Sequence, residues 1–369
     1  MEIPNFRIRK SYPSRVIDPS TINVKSMGIN LNSLKDKFSF SQIAATNMNN
    51  KGINIDDTTV LLNPSSHNPP QSGDTFPSIW PGISTTIGSI RTFHYKSGVG
   101  GSSWVTWAVK NGIKVIVGLD LGSDSGASEI SSFSSDYLAS PLIKALYDAN
   151  VIAIAVGNEE TNVSSINTGL LNAQSLKGLN QLPNVPITSV LVDINGNWIQ
   201  NSYPPESATF SAGFLSLAPN MDIFCFNFYS DYYSFGNLPP LSPSQALTVG
   251  LSWTSNGTEN SVLLNQFGSV RSAMFAAAIN KEFWCTETGW ASTPIQVETL
   301  SGWSSIAHEK TYYGNFLGFN LTIPYIPQAG TTTVMPPNRI FYFTVRDVPS
   351  ESDYFGLYTS ATTLTSKFG

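Results

Sequence analysis

The chain has 369 residues, of which 41% are hydrophobic and only 12% are charged. Its formal net charge is −5, and its Lys and Arg residues form no cluster that could neutralise a phosphate backbone, so no nucleic-acid partner is expected. Two cysteines and three scattered histidines exclude a disulfide-dense scaffold and indicate no metal site, and we expect no cofactor.

The beginning of the chain differs from the rest. Residues 1–24 lack periodicity and contain three prolines, so they are predicted to form an extension before a single domain over residues 25–369. The N-terminus has no apolar segment typical of a secretory signal peptide, and no stretch is apolar enough to span a membrane. We expect a soluble chain that is cytoplasmic, exported by another route, or carried on a particle.

From residue 26 onward, apolar runs typical of strands alternate with stretches typical of helices. An Asn-, Pro- and Ser-rich stretch, residues 41–80, is assigned to a long first connection. Eight strands with helices between them favour an α/β protein, a single (β/α)8 TIM barrel, with a doubly wound open sheet as the alternative. Strands are predicted at residues 26–31, 87–93, 113–119, 151–156, 185–193, 221–229, 282–287 and 339–345, and helices at 102–110, 141–149, 163–180, 243–250, 261–279 and 301–317.

Two of the predicted strands end on a glutamate: Glu159 follows the fourth strand and Glu287 ends the seventh. A parallel barrel brings its C-terminal strand ends together at one face. Two carboxyl groups facing each other there are what cleavage of a glycosidic bond requires. Taken singly, each glutamate is better explained as an ordinary carboxylate, at a helix start for Glu159 or in a loop for Glu287.

Strand alternation predicts which neighbours share a side with these groups. Cys285 is expected on the side of Glu287, and Cys225 and Asn227 on the side of Tyr229. Both cysteines are then interpreted as buried, inert thiols that fill space in the core.

Several short motifs resemble glycoside hydrolase family 17, the β-1,3-glucanases and β-1,3-glucanosyltransferases. The two main ones are Val-Gly-Asn-Glu, ending at Glu159, and Glu-Thr-Gly-Trp, ending at Trp290. The resemblance spans about residues 26–358, with its parts in the family's order. Further matching segments are Ile-Arg-Thr-Phe ending at Phe93, Gly-Ile-Lys-Val-Ile-Val-Gly ending at Gly118, Asn-Phe-Tyr ending at Tyr229, and Tyr-Phe-Gly-Leu-Tyr ending at Tyr358.

The resemblance implies a retaining enzyme that hydrolyses or transfers β-1,3-glucan. Glu159 would be the general acid/base and Glu287 the nucleophile. Asn158 would hold the 2-hydroxyl of the sugar, and Tyr229 would orient Glu287. Arg91 would keep Glu287 anionic by its nearby charge, with a purely structural ion pair as the alternative.

Aromatic and acidic residues complete the predicted substrate-binding set. Trp290 offers a flat face for a sugar ring, whereas Tyr232 and Trp253 either line a glucan cleft or pack in the core. His94 is predicted to be a rim residue. At strand eight the family's fungal members read Phe-Glu-x-Phe-Asp-Glu-x-x-Lys, of which only Asp347 among the charged positions is kept here, so the resemblance does not fix the preferred linkage or chain length.

A second function stays open from the sequence. The altered strand eight, the low charge and the lack of a signal peptide are also typical of a non-catalytic glycan-binding or particle-associated structural protein on the same barrel. Such a protein would bind sugar without turnover. Retention of both Glu159 and Glu287 argues against it, because a barrel without activity has little reason to keep them.

Overall fold

The structure is a computed structural model whose described residues lie in one compact unit, Ala44–Gly369. The predicted N-terminal extension, residues 1–24, lies outside the described residues. The described residues are 50–55, 87–95, 101–193, 196–230, 242–254, 261–293, 303–327, 332–348, 354–359 and 366–368.

Eight parallel strands form a closed barrel in which β1 pairs with both β2 and β8. The remaining strands follow in chain order around the barrel, each paired with the next. This topology confirms the predicted (β/α)8 barrel and excludes an open sheet. The strands are β1 (Lys51–Asn54), β2 (Ser89–Arg91), β3 (Lys114–Leu119), β4 (Val151–Asn158), β5 (Ile187–Val192), β6 (Phe224–Asn227), β7 (Phe283–Thr288) and β8 (Arg339–Tyr342).

The first strand is not where the sequence places it. Lys51–Asn54 closes the barrel from within the stretch assigned to a long connection, whereas residues 26–31, the predicted first strand, lie outside the described residues. The error has a simple origin, because Gly-Ile-Asn followed by an aliphatic residue occurs twice, ending at Leu31 and at Ile55. The local sequences of the two copies are nearly the same, and the copy at Gly52 is the one that pairs with β2 and β8 in the described structure.

Helices occupy most of the connections between strands, and all six predicted helices are confirmed within a few residues. Serine and asparagine begin most of them: Ser140, Asn162, Ser211, Ser242, Ser261 and Ser305 each accept a hydrogen bond from the backbone three residues on. A chain with few charges thus starts its helices with neutral caps. The described helices are α1 (Gly101–Lys110), α2 (Ala127–Tyr137), α3 (Pro141–Asn150), α4 (Val163–Gly178), α5 (Ala212–Leu217), α6 (Pro243–Leu251), α7 (Val262–Ala276) and α8 (Ile306–Gly318).

The strands separate two apolar layers. A small inner cluster is built almost entirely by the strands, whereas a large outer cluster joins strands to helices. Continuous apolar runs in the sequence follow from this burial on both faces. The inner cluster contains Ile116, Ala153, Ala155, Val190, Ile223, Cys225, Trp284 and Phe341.

Strand β7 departs from simple alternation. The pairing with β6 shifts, so that Phe226 opposes Cys285 whereas the next residue, Asn227, opposes Glu287. Because of this bulge, Trp284 lies in the inner cluster and Cys285 in the outer one. The prediction that Cys285 shares a side with Glu287 is therefore wrong, although both cysteines are buried and free as predicted.

At the mouth of the barrel, the backbone of β3 at Gly118 lies very close to the chain that follows β2. This packing can be tested by adding a single methyl group. A Cβ atom at Gly118 would collide with the carbonyl oxygens of Thr92 and Phe93, which are backbone atoms and cannot move aside. We expect Gly118→Ala to lower the free energy of unfolding by roughly 1–3 kcal/mol in urea titrations.

Gly314 in α8 provides the matched control, because a Cβ there meets nothing within 4 Å. Gly314→Ala should raise the free energy of unfolding by about 0.5–1 kcal/mol through helix propensity. Equal effects at Gly118 and Gly314 would contradict the packing described for β2 and β3.

Candidate active site

The C-terminal ends of five strands bring polar side chains together at one mouth of the barrel. This is the face where (β/α)8 enzymes carry their active sites. Most of these groups are almost fully buried, so each must be satisfied by a neighbour. The set comprises Asn54 from β1, Arg91 from β2, Asn158 and Glu159 at the end of β4, Asn227 from β6 and Glu287 from β7.

Glu287 is held at both of its carboxyl oxygens. Oε1 lies 2.6 Å from Nη1 of Arg91, and Oε2 accepts a hydrogen bond of 2.5 Å from the Tyr229 hydroxyl. Glu287 is 4% exposed, so water does little to screen these contacts. Two strong bonds to a buried carboxylate fix its orientation. The predicted proximity of Arg91 and Tyr229 to Glu287 is present in the structure.

Asn54 supports this pair and is the residue that sequence reasoning missed. Its Nδ2 donates to the carbonyl oxygens of Thr286 at 3.0 Å and Tyr342 at 3.1 Å, which ties β1 to β7 and β8. Its Oδ1 accepts from Nη1 of Arg91 at 3.3 Å. The signal for it is Ile-Asn-Ile, ending at Ile55, within the stretch that the sequence assigns to a connection.

Asn158 is fixed by its oxygen. Oδ1 accepts from Nη2 of Arg91 at 2.6 Å and from Nδ2 of Asn227 at 3.3 Å. With Oδ1 facing these donors, Nδ2 must point the other way, and it bonds to none of the described residues. The side chain is only partly buried, so this amide can donate to a bound ligand.

Glu159 follows β4 in an uncommon backbone conformation. Its φ is +57°, and Gly157 two residues earlier has φ +81°. Left-handed residues other than glycine are rare, and they occur often at functional sites. The turn aims the carboxyl at Asn227, whose Nδ2 donates to Oε1 at 2.8 Å. The hydroxyl of Thr286 donates to Oδ1 of Asn227 at 2.9 Å, which fixes the orientation of that amide.

The two carboxyl groups have different electrostatic surroundings. Burial raises the pKa of Glu159 to about 7, and repulsion from Glu287 acts in the same direction. The hydrogen bond from Asn227 and the charge of Arg91 oppose the rise. Glu159 is therefore protonated in a large fraction of molecules at neutral pH, whereas Glu287 contacts a cation and a hydroxyl donor. Two carboxyl groups separated in this way can serve as acid and base.

An aromatic wall stands beside Glu287. Phe343 packs edge-on against Phe93 at 6.0 Å and against Tyr229 at 6.1 Å between ring centroids. Phe355 lies 5.4 Å from the Tyr229 ring. Phe93 also lies under the guanidinium of Arg91, at 4.5 Å. Because Phe93 and Phe343 are only partly buried, they offer apolar surface next to the carboxyl groups.

Trp290 does not offer a face to a sugar, contrary to prediction. It is fully buried, its ring stacks on Trp303 at 5.5 Å, and Nε1 donates to the Trp303 carbonyl at 3.1 Å. The chain after β7 turns this ring into the layer under the helices. Trp253 likewise packs in the core, against Tyr312 and Phe316. Tyr232 lies outside the described residues.

Asp347 also differs from expectation. Rather than facing the carboxyl pair, it is 6% exposed and accepts hydrogen bonds from Nζ of Lys367 at 2.7 Å and the Gly356 amide at 2.9 Å. Burial raises the pKa of Asp347, and Lys367 opposes that rise. His94 is a partly exposed rim residue as predicted, with Nδ1 3.7 Å from Oδ2 of Asp120.

Within the described ranges, no three His, Cys, Asp or Glu side chains cluster so that they could hold a metal ion. No helix among them has the length and apolar character needed to cross a membrane.

The raised pKa of Glu159 predicts how stability depends on pH. Its folded pKa of about 7 exceeds the ordinary value of 4.5, so the folded chain binds this proton more tightly than the unfolded chain. That contribution is complete below pH 4.5 and is lost as pH rises through 7. Glu159→Gln stays neutral, so its free energy of unfolding relative to the unmodified chain should rise by roughly 1–3 kcal/mol between pH 4.5 and pH 8. An equal difference at both pH values, measured by urea unfolding, would contradict this.

Comparisons with known proteins agree with the barrel and its motifs. No protein-family model matches the chain. It is similar to a glucan endo-1,3-β-D-glucosidase from Olea europaea, 25% identical over 325 residues, which cover 78% of this chain and 66% of that protein. The chain thus spans just under two thirds of that relative's length.

Solved structures share the fold. An endo-laminarinase from Formosa has a TM-score of 0.56 at 17% identity, over 87% of this chain and 86% of that one. A family 17 β-1,3-glucanosyltransferase from Rhizomucor miehei has a TM-score of 0.48 at 13% identity, over 88% of this chain and 99% of that one. The chain is a (β/α)8-barrel protein that resembles the β-1,3-glucan-active enzymes of glycoside hydrolase family 17.

Proposed function

We propose that the chain is a retaining glycoside hydrolase or transglycosylase that acts on β-1,3-glucan, with Glu159 as general acid/base and Glu287 as nucleophile. The observation that carries the proposal is the electrostatic contrast between these two carboxyl groups. Glu159 has a pKa of about 7 and can donate a proton at neutral pH, whereas Glu287 is bound by Arg91 and Tyr229. Retaining hydrolysis requires this division of roles.

In the first step Glu287 attacks the anomeric carbon while Glu159 protonates the departing glycosidic oxygen. The bond to the leaving sugar breaks as a covalent bond to Glu287 forms. In the second step Glu159, now a carboxylate, removes a proton from water or from an acceptor hydroxyl, which displaces Glu287. Water gives hydrolysis and a sugar hydroxyl gives transfer, so both reactions use one intermediate.

The surrounding side chains suit these steps. Because Asn227 donates to Oε1 of Glu159, the transferable proton belongs on Oε2, and one oxygen is thus assigned to the leaving group. Arg91 and Tyr229 hold both oxygens of Glu287, so the carboxylate does not have to reorient before attack. We propose that the Asn158 amide donates to the 2-hydroxyl of the sugar, an interaction that strengthens in the transition state; its support is that Oδ1 is held by Arg91 and Asn227.

The substrate class rests on the resemblance and on the character of the site. The similar protein from Olea europaea is named for action on a 1,3-β-glucan. The partly exposed rings of Phe93 and Phe343 present apolar surface suited to the face of a neutral sugar. The sequence predicts that Asp347 binds substrate. We propose instead that it supports the fold near the site through its bonds to Lys367 and the Gly356 amide.

Substitution of each carboxyl group tests the assignment directly. We expect Glu159→Gln and Glu287→Gln each to lower kcat/KM on laminarin oligosaccharides by about 100-fold or more, because each removes a group that acts in the transition state. Glu160→Gln, one residue further along, is the matched control and should retain activity. Full activity in either of the first two variants, or sugar binding without turnover in the unmodified chain, would refute the proposal.

The stereochemistry of the first product tests the mechanism. Proton NMR of a β-1,3-linked oligosaccharide during early turnover should show the β-anomer forming first, because two displacements restore the configuration. An initial α-anomer would require inversion instead. Longer products that appear at high substrate concentration would identify transfer to a sugar acceptor.

The pH dependence tests the role of Glu159. Since the acid form is required, kcat/KM should fall as pH rises above about 7, the pKa of Glu159. Asn227 donates to the Glu159 carboxylate and so lowers its pKa. Asn227→Ala should therefore shift the fall of kcat/KM at alkaline pH, the alkaline limb of the profile, to higher pH by about half a unit to one unit. A limb that stays in place or moves to lower pH would contradict the assignment.

A further inference from the structure

One ammonium group, that of Lys367, joins the chain segments that follow the last two barrel strands. The side chain is 1% exposed. Nζ donates to Asp347 Oδ1 at 2.7 Å, Ser292 Oγ at 2.7 Å, Glu309 Oε2 at 3.1 Å and the Tyr354 carbonyl at 3.1 Å. A charge removed this far from water needs several partners, and here those partners come from four separate segments.

The residues around Lys367 form a short strap, defined here as residues 366–368. The backbone amide of Lys367 donates to the Leu357 carbonyl at 3.1 Å, and Ser366 forms a β-bridge with Tyr358. Tyr358 in turn bridges to Arg346, which lies shortly after β8. The strap therefore holds the segment 354–358 against the chain that leaves β8.

The segment under the strap lies directly behind the nucleophile. Phe355 is the residue after Tyr354, whose carbonyl Lys367 binds, and its ring packs 5.4 Å from Tyr229. The hydroxyl of Tyr229 donates to Glu287 at 2.5 Å. A continuous series of contacts thus runs from the ammonium group of Lys367 to the carboxylate of Glu287.

A second series reaches Glu287 along the backbone. Ser292 lies five residues after Glu287, and both its amide and its hydroxyl donate to the Tyr354 carbonyl at 3.0 Å. Lys367 binds the same serine oxygen and the same carbonyl. Lys367 therefore holds both the chain that follows β7, at Ser292, and the segment whose Phe355 packs against Tyr229.

We propose that Lys367 is a positioning residue for Glu287, acting through Tyr354, Phe355 and Tyr229 on one side and through Ser292 on the other. The inference rests on the proposed role of Glu287 as nucleophile. In this role Lys367 affects the reaction rate, whereas an ion pair that only stabilises the fold would not. Lys367 lies outside every motif on which the resemblance depends.

The expected effect is on turnover rather than on binding. Loss of Lys367 frees Phe355 and lets Tyr229 shift, so Glu287 loses orientation in the transition state while the sugar contacts of Asn158 remain. We expect Lys367→Met to lower kcat by about 10- to 100-fold on laminarin oligosaccharides, with KM changed less than about threefold. Lys367→Arg keeps the charge and should recover most of the rate.

Two further variants separate positioning from stability. Lys310→Met removes the bond from Lys310 to the Phe368 carbonyl but leaves the buried network intact, so kcat should be unchanged. Ser292→Ala removes the two hydrogen bonds of the serine hydroxyl, from Lys367 and to the Tyr354 carbonyl, and leaves both ion pairs of Lys367. It therefore keeps a folded protein available if Lys367→Met does not fold. It should lower kcat by about three- to tenfold. All rates are measured well below the midpoint of thermal unfolding.

Hydrogen exchange read by mass spectrometry distinguishes failure of this inference from failure of the proposed function. Lys367→Met, or Ser292→Ala in its place, should raise exchange in residues 287–293 and 354–358 while β3 and β4 stay protected. Unchanged exchange there, a uniform rise over the barrel, or an unchanged kcat in a folded variant would overturn the positioning role. Absence of turnover in the unmodified chain would refute the proposed function alone.

Discussion

The site depends on the buried contact between Arg91 and Glu287. The guanidinium is 1% exposed and the carboxylate 4%, so neither charge is tolerable without the other. Through its remaining donors Arg91 also binds Asn54 and Asn158. One cation therefore sets the ends of β1, β2, β4 and β7 in a common arrangement, and the barrel must close correctly for this charge to be satisfied.

The same contacts give Glu159 and Glu287 different electrostatic surroundings. Arg91 lies against Glu287, which leaves Glu159 with an amide donor and with the repulsion of its neighbour. The backbone contributes as well, because the left-handed turn at Glu159 brings its carboxyl to Asn227. Charge placement and chain geometry thus act together, and the roles proposed for the two groups follow from unequal surroundings rather than from any difference in chemistry.

Local patterns in the sequence were enough to predict seven of the eight strands and the meeting of Glu159 and Glu287, since apolar runs that end on polar residues identify strand ends in a barrel. The place of Arg91 beside Glu287 was implied by the family resemblance. What depends on distant contacts was not predictable. Gly-Ile-Asn occurs twice in similar local sequence, and β1 is identified only by its pairing with β2 and β8, so β1 and Asn54 were missed. The burial of Trp290 follows from its stacking on Trp303, and Lys367 meets Asp347 from twenty residues further along the chain.

The bulge in β7 limits how this strand can change over evolutionary time. Below it, Trp284 fills the barrel interior, and above it Glu287 faces the mouth, an arrangement that simple alternation cannot give. Loss of the extra residue would turn the carboxylate toward the apolar layer under the helices, away from Arg91. Substitutions between Trp284 and Glu287 can therefore accumulate, but the gain or loss of one codon there would turn the Glu287 carboxyl away from the mouth in a single event.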